Sequence, residues 1–279
     1  MRHIESRRAS QPSRHGASLA EAYQEMFQGV LADTPQLRSE VHRLRFQVYC
    51  LERNFEDPAR NPGGLERDEY DNHAAHALLM HRASGLFVGT VRMILHKPGA
   101  REGSLPFHKL CREPRLRDPS FLPFETMAEF SRFAISKQFR SRAGDDAYGR
   151  AYSPEELAND ARRVVPHITL GLMTMALQIA IARGIDCVCA VMEPPLLRLL
   201  SRFGIFFNPV GPLVEHHGLR QPCYEFVAPL LARIEIERPE IWDVITDRGR
   251  LWKSSTEANK GRQIGGSTIQ KPDLRARAI

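Results

Sequence analysis

The apolar positions of the chain follow two different periods. Leu37, Val41, Leu44 and Val48 recur at spacings of 4, 3 and 4, the stripe of an amphipathic helix. Residues 19–33 read as a shorter helix ahead of it. On another side of the longer helix lie Arg38, His42, Arg45 and Tyr49. Such a row ordinarily reads as a solvated face; the alternative is that Arg45 and Tyr49 face a cavity. Strand-like segments come next, at residues 75–82 and 86–96 around a Ser84-Gly85 turn, and then at 124–136. Residues 166–183 read as a helix, with Pro166 in its first turn and Gly184 just past its end. That helix is apolar nearly all round, so it should be buried on most sides. Residues 185–192 form a continuous apolar strand of the kind covered on both faces. A helix at 194–202 stopped by Gly204, a late strand at 224–227 and a final helix at 241–252 complete the pattern. Residues 54–72, around Pro62-Gly63-Gly64, and residues 97–123 read as irregular. The economical architecture is a single α/β domain, one mixed central sheet covered by helices.

Charge changes this picture only at the ends. The net charge is +6, but residues 1–18 hold four Arg and one acid, and residues 253–279 hold six Lys or Arg and two acids. The ends therefore carry +3 and +4, and the body over residues 19–252 carries −1. Both ends are polar and read as disordered basic tails, which argues against a nucleic-acid-binding face. Weak contact with a membrane or partner is the alternative use for them. No apolar leader follows Met1. The longest apolar run, 170–182, contains Thr174 and Gln178 and is shorter than the ~20 residues of a membrane helix. Five cysteines include no Cys-x-x-Cys pair, and Cys187 and Cys189 alternate within a strand as buried thiols. His73-x-x-His76 and His216-His217 lack metal partners, so no metal is expected. These features fit a cytoplasmic protein.

Four short motifs are spread over about a third of the chain: Arg45-Phe46-Gln47-Val48-Tyr49, Glu66-x-Asp68-x-x-Asp71, Val88-Gly89-Thr90-Val91-Arg92 and Glu129-Phe130-Ser131-Arg132-Phe133. In this order and spacing they resemble the acyl-homoserine-lactone synthases. Two later segments resemble a sister group, the exosortase (PEP-CTERM)-associated acyltransferases, which are related to N-acyl amino acid synthases. These segments are Val191-Met192-Glu193-Pro194-x-Leu196-x-Arg198-Leu199-Leu200-x-Arg202-Phe203-Gly204 and His217-Gly218-Leu219-Arg220-x-Pro222-Cys223-Tyr224. The resemblance spans residues 23–246. It implies a GNAT-like (acyl-CoA N-acyltransferase-like) fold and an acyl-carrier-protein donor, its 4′-phosphopantetheine thioester bound as substrate with no permanent cofactor. It further implies transfer of a medium- or long-chain fatty acyl group to the amine of an amino acid. Two rival readings are an acyl-homoserine-lactone synthase acting on S-adenosylmethionine and a non-catalytic protein that binds acylated carrier. The sequence departs from ordinary GNAT enzymes after the third strand region. Lys137-Gln138-Phe139-Arg140-Ser141-Arg142-Ala143-Gly144 is not the usual glycine-rich pyrophosphate loop, which counts against coenzyme A as preferred donor. The family's usual loop Trp is matched at best by Phe55.

Acyl transfer to an amine needs a base, donors for the oxyanion and a grip on both substrates. Glu129 is the candidate base. In a regular strand Glu129 and Arg132 point to opposite faces, and a bulge between them would bring both to one site. The plainer reading of Glu129 is a half-buried carboxylate paired to an arginine. Arg92 and Arg132 lie in apolar strands, where a buried guanidinium needs acidic partners. Glu66, Asp68 and Asp71 are the natural ones, and Arg45 joins them if its helix packs over the loop. This network either ties the acidic loop to the sheet or shapes an acceptor pocket. By resemblance, Glu129, Arg132, Glu66 and Asp68 are the catalytic candidates. Arg45, Tyr49, Asp71, Arg92, Ser131 and Phe133 are candidates for binding substrate. Arg140, Arg142, Arg162 and Arg163 are candidates for docking an acidic carrier.

Overall fold

A computed structural model of the protein describes residues 18–99, 104–118, 120–139 and 164–253. The first helix, α1 (Leu19–Met26), opens on a capping box. The Ser18 hydroxyl accepts from the Glu21 amide, and the Glu21 carboxylate accepts from the Ser18 amide. The helix ends earlier than its sequence suggests, because residues 27–31 form the edge strand β1 (Phe27–Leu31). A Cβ at Gly29 would lie 1.9 Å from the sulfur of Met175, so any side chain there would have to displace the end of that methionine.

Helix α2 (Pro35–Arg45) runs directly into a π-helical turn, Phe46–Glu52. The wider turn shows in the bond from the Arg53 amide to the Val48 carbonyl, five residues back. Residues 54–72 contain three short 3₁₀ turns. Strands β2 (Ala74–His81) and β3 (Leu86–Leu95) make the expected hairpin. The short helix α3 (Pro106–Leu110) interrupts the second irregular stretch. Strand β4 (Met127–Ile135) precedes the central helix α4 (Val164–Ala182) and strand β5 (Cys187–Met192). Helix α5 (Pro194–Ser201) and the two-residue strands β6 (Asn208–Pro209) and β7 (Val214–Glu215) follow. The late strand, β8 (Leu219–Phe226), starts five residues earlier than expected. Behind it lies a helix the sequence reading did not find, α6 (Val227–Glu237). The last helix, α7 (Pro239–Thr246), is shorter than expected.

The sheet runs β1-β2-β3-β4-β5-β8-β6, with β7 added to β8. All pairs are antiparallel except β4 with β5. One face packs on α4, α1, α6 and α7, with Val91, Met93, Ala128 and Phe130 meeting Leu172, Met173 and Ala176 in the main core. The other face is covered by α2 near β2 and by α3 near β5. All five cysteines are free and buried. Among the described residues, no helix is long and apolar enough to cross a membrane. Most of the two basic tails, and the arginines proposed to dock a carrier (Arg140, Arg142, Arg162 and Arg163), lie outside the described residues.

Candidate functional site

The site begins where the sheet divides. β4 and β5 pair in parallel over only four positions, Met127–Phe130 against Cys187–Ala190. Beyond Phe130 they part, while β4 stays paired with β3 as far as Ile135. The register between β3 and β4 shifts between Thr90 and Arg92, opposite Arg132, whose φ of 47° lies in the left-handed region. This is a bulge of the kind that re-aims one side chain. Glu129 and Ser131 keep the face shared with Arg92, and the bulge turns Arg132 toward that side as well. Phe130 and Phe133 consequently meet the same core although three residues apart.

A buried ion network occupies this face. The guanidinium of Arg45 contacts the carboxylates of Glu66 and Asp71, the latter at 2.6 Å. Arg92 donates to Asp68 at 2.5 Å, to Asp71 at 2.7 Å and to the Ser131 hydroxyl at 3.0 Å. Arg132 donates twice to Glu66, at 3.0 and 3.1 Å, and once to Glu56 at 3.3 Å. It also lies 3.2 Å from Asp68. Arg45 and Arg92 are essentially inaccessible to solvent, at 0% and 1%. The row on α2 therefore turns inward: His42 and Arg45 are buried and only Arg38 remains exposed, which corrects the solvated-face reading. Burial of this row is tolerated because the acidic loop folds over it. The His42 carbonyl accepts from the Glu66 amide, and the His42 ring contacts the Glu66 carbonyl.

The network sets the charge states. Burial pushes Glu66, Asp68 and Asp71 up, but the facing arginines outweigh it and hold all three below the usual carboxylate range. Burial likewise opposes the charge on Arg132, and Glu66, Tyr49 and Asp68 reverse that to hold it above its ordinary value. Glu129 behaves in the opposite way. It is 3% exposed, and among the described residues no cation pairs with it, so the paired-carboxylate reading is corrected. Its Oε2 accepts the backbone N–H of Phe107 at 2.7 Å. Burial dominates and raises its pKa to about 7, against the lowering effects of that bond and of Arg92 and Arg132.

A cavity of about 370 Å³ opens beside these groups, in the gap between the parting strands. Of the residues singled out from sequence, Glu129, Arg132, Asp68, Tyr49, Arg92, Ser131 and Phe133 border it. Arg45, Glu66 and Asp71 do not; they stand behind the wall and hold Arg92 and Arg132 in place. Phe130, Phe133, Ile135, Met192 and Leu196 give the cavity an apolar side. Tyr49 lies under the Arg132 guanidinium, 5.3 Å from it, and burial pushes its hydroxyl pKa up.

A second polar wall was not singled out from sequence. Phe55 carries it: the ring of His217 stacks 5.0 Å away, and the guanidinium carbons of Arg53 and Arg220 sit 5.6 and 5.9 Å from its centroid. Arg220 pairs with Glu193 at 3.1 Å, and Glu56 links this wall to Arg132. These residues come from the π-helical turn's exit, from the start of α5 and from the β7–β8 hairpin. Only Phe55, Glu193, His217 and Arg220 left a trace, inside motifs or matches that carried no assigned role.

Residues 44–149 match the acetyltransferase (GNAT) domain family. No curated protein sequence matches the chain. Among solved structures, TofI in a ternary complex with an inhibitor and MTA is similar at a TM-score of 0.51 and 18% identity, over 76% of this chain and 99% of that one. BjaI, a CoA-dependent acyl-homoserine lactone synthase, gives 0.49 and 21% identity over 81% of this chain and 89% of that one. FeeM, an N-acyl amino acid synthase from uncultured soil microbes, gives 0.47 and 15% identity over 74% and 93%. The likeness to TofI is one of fold, and with the domain match it establishes the GNAT-like architecture expected from the motifs.

Proposed function

With the GNAT-like fold as premise, we propose that the protein is an N-acyltransferase that moves a medium- or long-chain fatty acyl group from an acyl-carrier-protein thioester to the amine of an amino acid. The observation that carries this reading is Glu129, a buried carboxyl with a pKa of about 7 that borders a half-apolar cavity and has no cationic partner among the described residues. A base of that strength is matched to an ammonium that must lose its proton before it can attack at neutral pH.

The reaction then follows from the walls. Glu129 takes one proton from the acceptor ammonium, and the free amine attacks the thioester carbonyl. The C–N bond forms, the C–S bond breaks, and the departing thiolate takes up the second proton that the attacking nitrogen loses as it becomes an amide. The oxyanion requires donors. Amides on the edge of β4 beyond Phe130, released from β5 by the parting of the strands, are suited to that role. The acyl chain lies against Phe130, Phe133, Ile135 and Leu196. Glu66 and Asp68 do not serve as bases, since both are spent on arginines; their part is to hold Arg132 and Arg92 at the cavity wall. Docking of the acidic carrier falls to Arg140, Arg142, Arg162 and Arg163, which lie outside the described residues.

The test is to incubate the purified protein with mixed acyl-carrier thioesters, a pool of amino acids and S-adenosylmethionine, and to identify products by mass. N-acyl amino acids support the proposal. A lactone that forms only with S-adenosylmethionine replaces it with the synthase reading. Tight binding of acylated carrier without any product replaces it with a binding protein.

A further inference from the structure

An amino-acid acceptor carries a carboxylate as well as an amine, and the charges of the inner arginines are already compensated by acids. Arg45 does not border the cavity, and Arg92 and Arg132 each face at least two carboxylates. Counted together, Arg45, Arg92 and Arg132 stand against Glu56, Glu66, Asp68 and Asp71, so this wall is one charge negative. It attracts an ammonium and repels a carboxylate.

The adjoining rim has the reverse balance. Arg53 and Arg220 share one acid, Glu193, and the wall is one charge positive. Arg220 is only partly committed: its Nε donates to the His216 carbonyl at 2.5 Å and its Nη2 to Glu193 at 3.1 Å, which leaves Nη1 unused among the described contacts. Arg53 reaches Glu193 only at 3.7 Å, beyond hydrogen-bond distance, and its side chain is 30% exposed. Both guanidiniums lie near the ring of Phe55, which orients them without consuming a donor. Two planar forks with unused donors at the rim, beside a negative wall, match the two ends of a zwitterion.

We propose that Arg53 and Arg220, held against Phe55, form the subsite that binds the carboxylate of the acceptor, with the ammonium end directed into the cavity toward the negative wall and Glu129. This rests on the acyl-transfer reading above. An anion at the same place could also be the phosphate of the donor's pantetheine arm, so the test separates the two.

The experiment compares free amino acids with their carboxamides, in calorimetric binding to the full-length protein and as acceptors. The donors are carrier thioesters and N-acetylcysteamine thioesters, which lack phosphate. Wild type should favour the carboxylate form by about 10- to 100-fold with either donor, the range expected of hydrogen bonds to a charged group. Arg53→Gln should remove most of that preference without shifting the melting temperature, and Arg53→Lys should restore part of it. Equal binding and use of amino acid and amide by wild type overturns the subsite while leaving acyl transfer standing. A variant that loses affinity only for the phosphate-bearing donor also overturns it and assigns the rim to pantetheine. If no amine is acylated by any thioester, the acyl-transfer reading fails. The calorimetric arm then still decides the subsite, and no carboxylate-dependent binding overturns it.

Discussion

The backbone N–H of Phe107 donates to the carboxyl of Glu129 at 2.7 Å, and this bond orients the side chain without fixing its charge. Glu129→Gln keeps that acceptor and removes the base. Turnover should fall by roughly 100- to 10,000-fold with donor binding largely intact, the span typical of a general base. In wild type the rate should rise with pH and level off above about 7, as Glu129 loses its proton. A folded Gln variant with near-normal acyl transfer would remove Glu129 from the chemistry.

Glu129 also leaves a signature in stability. Its folded pKa of about 7 lies above the value of 4.5 expected when unfolded, so the folded state holds a proton that the unfolded state releases. The favourable contribution is present below about 4.5 and is lost as pH rises through 7. Denaturant titrations at pH 5 and pH 8 should show a smaller loss across this interval in Glu129→Gln than in wild type.

His76 works in the other direction. It is buried beside Asp71, with no partner for its Nδ1 among the described residues, and burial lowers its pKa from 6.5 to about 4. Its contribution is intact above 6.5 and is lost as pH falls toward 4, because the unfolded state takes up the proton first. The lowered carboxylates Asp71 and Asp68 add to that loss only at lower pH, below their unfolded values. His76→Gln should flatten the stability profile between 6.5 and 4. An unchanged slope would place the titrating group elsewhere.

Arg45→Ala is expected to cost about 3–5 kcal/mol, because it strands Glu66 and Asp71 in a buried site. Arg132→Lys keeps the charge but loses the paired contacts with Glu66. It should lower turnover more than stability, measured by melting and acyl-transfer rate together.

Gly89 offers a test of packing rather than charge. A Cβ there would lie 2.8 Å from the Ala134 carbonyl and 2.9 Å from Leu172. The first contact is backbone and cannot swing away, so Gly89→Ala should destabilise by about 1–3 kcal/mol in chemical unfolding. A neutral result would mean that β3 and β4 can shift apart at the bulge.

The sequence made the inner network legible because a guanidinium in an apolar strand has few stable outcomes. Arg92 and Arg132 needed acids, and Glu66, Asp68 and Asp71 were the acids that an adjacent loop could deliver. The inward turn of His42 and Arg45 was not legible, since a polar row on a helix looks the same whether water or an acidic loop covers it. Helix α6 was missed for a local reason. Pro229 sits in its first turn, and Ile234-Glu235-Ile236-Glu237 alternates like a strand, whereas burial of Leu230, Leu231 and Ile234 follows a helical face. The rim of Arg53, Phe55, Glu193 and Arg220 exists only through tertiary contact between segments more than a hundred residues apart, and no spacing in the chain announces it.

The parallel pairing of β4 with β5 spans four positions, and it is the seam that joins the two halves of the sheet. Whatever fills the gap beyond Phe130 acts as a wedge on that seam, with the bulge at Arg132 at its tip. Occupancy and the integrity of the sheet are thus mechanically linked. Amide hydrogen exchange at Met127–Phe130 and Cys187–Ala190 should therefore act as a gauge of filling, slowing when a ligand braces the two halves and quickening when an over-long one pries them apart.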